Sequence, residues 1–138
     1  MNMLIKTFIS NPKKLLLLDA SGALLSAFLL GVVLVKINTV VGIPVSALYI
    51  LAIIPCFFVV FDLFAISRKN EQLGRYLRII GALNLMYCIT SIVFVIIHSD
   101  SIEVLGWVYI LSELIIVITL AGVEFYVSGK VKMGTINS

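Results

Sequence analysis

Charge is what this sequence has least of. Only 12% of its residues are Asp, Glu, Lys or Arg, against about 25% in a soluble domain, which excludes a globular protein with a solvated surface. Histidine is represented by His98 alone, so one chain offers no pair to hold a haem from both faces and no His-rich metal cluster. The two cysteines, Cys56 and Cys88, do not form the Cys-x-x-Cys pair expected of a quinone-coupled thiol oxidoreductase. No lysine lies in the middle of an apolar run, where a retinal Schiff base would need one. Ser/His/Asp arrangements, phosphate loops and zinc-protease motifs are missing as well. No enzyme activity, metal or cofactor is expected.

What is present is hydrocarbon. The 138 residues are 62% hydrophobic with a mean hydropathy of +1.20. Four long apolar runs, at about 15–35, 45–66, 79–97 and 105–127, each match the roughly 20 residues that cross a hydrocarbon core about 30 Å thick. The expected fold is an all-α integral membrane four-helix bundle, a single domain over 1–138. Ahead of it, MNMLIKTFIS places Met3, Leu4, Phe8 and Ile9 around Lys6, the pattern of a short interfacial helix. Asn11-Pro12 breaks that helix, and Pro12 suits the first turn of the next, where its missing N–H costs least. The first run is long for a signal peptide and has no small-x-small site after it, so it is expected to be retained.

The connections carry the remaining polarity. Gly42 and Pro44 close a short loop, SRKNEQLGRYLR (67–78) reads as the main polar connection, and Asp100 and Glu103 have the spacing of an N-cap and its N3 carboxylate. Ser128-Gly129 is expected to end the last helix, leaving a frayed tail. Of the ten basic residues, nine (Lys6, Lys13, Lys14, Arg68, Lys69, Arg75, Arg78, Lys130, Lys132) fall on one side of this topology and Lys36 alone on the other. Basic residues stay inside, so both termini and the middle loop are expected in the cytoplasm. So strong a bias argues against a dual-topology exporter or fluoride channel of the small four-helix type. The net charge of +3 follows from this topology and gives no reason to expect nucleic acid as a partner; the basic loop suits anionic lipid headgroups.

Polar side chains recur on one face of each span. Asp19, Gly22, Ala23 and Ser26 form a stripe of small or polar residues in the first, of the kind that lets helices approach closely. Gly81, Asn84, Cys88 and Ser91, bordered by Tyr87, form one in the third. Gly106, Glu113 and Glu124 share a face of the fourth, as Pro55 and Asp62 do of the second. Glu113 is the ionisable group nearest mid-membrane, at an insertion cost of about 2.5–3.5 kcal/mol, and is the centre of the candidate site. Ser26, Asp19, Asn84, Tyr87, Cys88 and Glu124 complete a ligand or proton site. The other reading of Glu113 is a protonated carboxyl bonded to a neighbouring helix. Asp62 and Glu124 lie near helix C-termini, where the dipole opposes a negative charge. Asp62 is therefore assigned to a cytoplasmic ion-pair cluster with Arg68, Arg75 and Arg78, and Lys13 is a further candidate cation. Trp107, Tyr109, Tyr49, Tyr76 and Tyr126 fit aromatic belts. Cys56 and Cys88 stand at matching distances from the middle loop, so pairing is open, with burial as packing groups the favoured alternative.

The runs NPKKLLLLDASGALLSAFLLGVVLV, GIPVSALYILA, NLMYC and LGWVYILSELIIV resemble a family of small four-span bacterial inner-membrane proteins, over nearly the whole chain. The resemblance implies four helices and a bacterial inner membrane. It brings no activity, substrate or catalytic residue, the family being uncharacterised.

Two classes of function follow. One is a proton- or ion-linked transporter or channel in which Glu113 binds the proton or cation and Asp19, Asn84 and Glu124 line the way to the cytoplasm; so small a chain is expected to form a homo-oligomer. The other is a scaffold or accessory subunit with a protein partner and membrane lipid around it. A lipid-ligand pocket is a third reading, by analogy with four-span sterol-binding proteins.

Overall fold

The computed structural model describes residues 2–137, and the side chains of all of these except 2, 4, 70, 71 and 131–137. Four helices are long and apolar enough to cross a membrane: Pro12–Lys36, Val45–Ile66, Gln72–Ile97 and Val104–Lys130. An N-terminal helix, Asn2–Ser10, precedes them. It ends where Pro12 opens the first span at its first turn, and its Phe8 is buried against the bundle.

The spans form two antiparallel hairpins, first with second and third with fourth, each closely packed, and the hairpins meet along a thinner seam. The first and fourth spans barely touch. The core is a column of Leu15, Leu16, Leu30, Leu48, Leu73, Leu77 and Ile80. Outward faces are mostly apolar, with Leu24, Phe57, Val60, Ile89, Ile96 and Ile115 all exposed, as lipid contact favours.

At the end away from the termini, the two loops are tied together. Gly42 adopts φ 75°, and a Cβ there would lie 2.0 Å from the Ser101 carbonyl oxygen, so only glycine fits. The Glu103 N–H donates to the Val41 carbonyl at 2.9 Å, and the Ser101 hydroxyl to the Gly42 carbonyl at 2.9 Å. This replaces the expected Asp100–Glu103 capping box: the helix starts at Val104, and the neighbouring loop takes the N–H that a cap would have served.

Three boundaries differ from the sequence expectation. The polar stretch 67–78 is almost all helix, since the third helix begins at Asn70; Leu73, Leu77 and Ile80 recur on one face and are fully buried, which draws the segment onto the bundle. The fourth helix runs past Ser128 and Gly129 to Asn137. The buried Ser128 hydroxyl donates to the Gly74 carbonyl at 2.6 Å, holding the helix against its neighbour rather than ending it. The first span contains a π-helical turn, Leu29–Val33. There Gly31 lies so close to the second span that a Cβ would sit 3.3 Å from Cβ of Ala52.

Candidate functional site

Glu113 lies on the inner face of the fourth span with both carboxylate oxygens engaged. The Tyr87 hydroxyl donates to Oε1 at 2.5 Å from the third span, and the Tyr109 hydroxyl donates to Oε2 at 2.6 Å from one turn earlier in the same helix. These are the lengths of charge-assisted O–H···O⁻ bonds. Ser26 of the first span lines the same space as this carboxyl. Tyr87 is fixed in turn by the edge of Phe58, 6.2 Å between ring centroids.

A second cluster lies nearer the termini. Asn84 donates one amide N–H to Asp19 Oδ1 and the other to Glu124 Oε1, both at 2.8 Å. Asp62 and Glu124 each reach the Asp19 carboxyl. Exposure is 0% for Asp62 and Glu124, 2% for Asp19 and 5% for Asn84. First span, second span, third span and fourth span thus supply one residue each.

The expected ion-pair cluster is a correction. Neither oxygen of Asp62 has a hydrogen-bond partner, while Arg68, Arg75 and Arg78 are exposed. Early entry into the third helix turns Arg75 and Arg78 outward as Leu73 and Leu77 turn in, and the Arg68 guanidinium stacks 4.7 Å above the Phe64 ring. Asp62 faces other acids instead.

A cavity of about 320 Å³ connects the two clusters: Asp19 and Asn84 line one end, and Tyr87, Tyr109 and Glu113 the other. Its walls are mostly apolar. Pro55 and Phe58 form the back, and Ile116, Val117 and Leu120 one side. Gly22, Ala23 and Ser26 form the opposite side, so this stripe of small residues makes room for a cavity instead of drawing a helix close; a Cβ on Gly22 would meet nothing within 4 Å. Gly22 and Leu25 on the first span, and Ser112 and Ile116 on the fourth, are exposed lining residues in mid-span. The cavity therefore opens sideways, between the two spans that barely touch.

Ser26, Asp19, Asn84, Tyr87 and Glu113 all line this space, while Glu124 stands behind Asn84. Cys88 is buried beside Tyr87 and does not line it. Cys56 is exposed, and both thiols are free. Tyr109 was expected in an aromatic belt and is a site residue; the signal was its position four residues before Glu113, which stacks the two on one helical face.

Comparison with protein-family models, curated proteins and solved structures returns no match.

Proposed function

We propose that this chain is a bacterial inner-membrane protein that takes a small amphipathic molecule from the lipid phase into the lateral cavity and holds its polar end on Glu113. The sideways opening carries this reading. Its rim residues Gly22, Leu25, Ser112 and Ile116 are exposed in mid-span, where the surroundings are hydrocarbon, so an occupant arrives through the bilayer. Apolar walls with a few convergent polar groups are the usual make-up of a small-molecule pocket. A carboxylate offers about four lone-pair sites. Tyr87 and Tyr109 fill two of them and leave room for a further donor, which favours an ammonium or hydroxyl end over a carboxylate.

Thermal unfolding of the purified protein in mild detergent tests this with alkyl amines, alcohols and fatty acids of equal chain length. Amines and alcohols are expected to stabilise the protein with the concentration dependence of mass action, about 2.7 kcal/mol at a hundredfold excess over Kd. Glu113→Gln removes the effect, and so does Gly22→Leu, which fills the cavity from a position with open space around it. Equal stabilisation by the fatty acid, or stabilisation that survives both substitutions, overturns the reading.

Proton- or ion-linked transport is the second reading, favoured by one cavity touching both Glu113 and the acid cluster through Asp19 and Asn84. Proton and ion flux into liposomes, lost in Glu113→Gln at equal incorporation, is its expected signature.

A further inference from the structure

The acid cluster near the termini has too few donors for its acceptors. Asn84 spends both amide hydrogens on Asp19 Oδ1 and Glu124 Oε1. Asp62 stands outside that hydrogen-bonded trio, fully buried, with neither oxygen partnered and its carboxyl directed at Asp19. Glu124 also reaches Asp19, and both Glu124 Oε2 and Asp19 Oδ2 have no partner. An ionised carboxylate accepts and never donates. Two carboxyl–carboxyl contacts thus converge on Asp19, and each requires a hydrogen that no side chain supplies.

Nor does a cation supply it. From the N-terminal helix Lys6 is exposed, and in the first span Lys13 is only half-buried. Arg68, Arg75 and Arg78 point outward, and Lys130 of the fourth span lies over the Tyr126 ring. Among the described residues no three His, Cys, Asp or Glu are arranged to hold a metal ion. Asn84 presents N–H groups to the acids, the reverse of what a bound cation wants.

We propose that Asp19, Asp62, Asn84 and Glu124 form a proton-binding site that holds two protons, one on Asp62 and one on Glu124, with Asp19 as the shared carboxylate acceptor. The assignment leaves one negative charge in the cluster instead of three, and gives both carboxyl–carboxyl contacts on Asp19 their hydrogen. Asp19 and Asn84 form a wall of the cavity, so the protons lie one side chain behind the space an occupant would fill. The site does not depend on the ligand proposed above.

Infrared spectroscopy at neutral pH reads protonated carboxyl groups directly through their C=O stretch, which shifts in deuterium oxide. Recorded in a Glu113→Gln background, so that the mid-span carboxyl contributes nothing, the band is expected in the otherwise native protein. It should fall to about half in Asp62→Asn and in Glu124→Gln, since each removes one of two acids, and disappear in the combined variant. The amides supply N–H where the acids supplied O–H, so folding is retained. Absence of the band in the folded Glu113→Gln protein overturns the proposal whatever the other variants do. Loss of the band on adding sodium, potassium or magnesium chloride overturns it too, by showing that a cation takes the protons' place.

Discussion

Glu113 and Asp62 are carboxyl groups in opposite surroundings. Two hydroxyls converge on Glu113, whereas both oxygens of Asp62 are without a partner. The first suits a carboxylate, the second an acid. Tyr87 carries more of the Glu113 arrangement than Tyr109, because it is buried and bonds between helices, while Tyr109 is half-buried and bonds within its own. Interhelical hydrogen bonds in membranes average about 0.6 kcal/mol and reach about 1.7. Tyr87→Phe is therefore expected to lower stability by about 1–2 kcal/mol and Tyr109→Phe by less, measured by unfolding in mixed detergent. The Tyr87→Phe loss should shrink in a Glu113→Gln background, as a double-mutant cycle requires of direct partners; an unchanged loss would show that the ring alone matters. Glu113 was legible in the sequence because a lone carboxyl in mid-span is conspicuous. For Asp62, closeness in sequence is a poor guide to closeness in space: a helix that starts at Asn70 carries Arg75 and Arg78 to the outer face, and Arg68 lies over the Phe64 ring.

Among the elements, the spans were legible and their ends were not. Apolar length identifies a membrane helix, but whether it continues into polar sequence depends on what its next turns touch. Leu73 and Leu77 find the bundle core and Ser128 finds the Gly74 carbonyl, so both helices outrun their apolar runs. The π-helical turn at Leu29–Val33 has no apolar periodicity to announce it. Gly42, by contrast, was placed in a loop, and its left-handed conformation and contact with Ser101 make it the most demanding glycine. Gly42→Ala is expected to cost at least roughly 1–3 kcal/mol from backbone strain, with the contact adding to it. Gly122→Ala, where a Cβ meets nothing within 4 Å, should be neutral or gain about 0.5–1 kcal/mol from helix propensity. Thermal unfolding of the two variants side by side checks the contrast; equal behaviour would mean that the loop tie bears no load.

For the whole molecule, two tight hairpins and a loose seam produce the lateral cavity. Stripes of small or polar residues on the first and third spans were legible, yet whether such a stripe packs or recedes is decided by its neighbour: a Cβ on Gly81 would lie 3.3 Å from the Phe125 ring, and one on Gly22 would meet nothing within 4 Å. The basic residues predict which end faces the cytoplasm. With Cys56 and Cys88 replaced, a membrane-impermeant maleimide on intact cells should label Ser99→Cys and spare Ser67→Cys. The reverse pattern would invert the topology.

The distribution of the acid cluster also bears on how the chain enters a membrane. Asp19 and Asp62 belong to the first hairpin and meet each other; Asn84 and Glu124 belong to the second and are hydrogen-bonded to each other. The second hairpin can thus leave the insertion machinery with Glu124 already hydrogen-bonded, which lowers the cost of about 2.5–3.5 kcal/mol that a lone acidic side chain at a helix centre would bring. The bond from Asn84 to Asp19 joins one hairpin to the other. It forms only when both halves have been made, so the cluster doubles as a record that biosynthesis is complete.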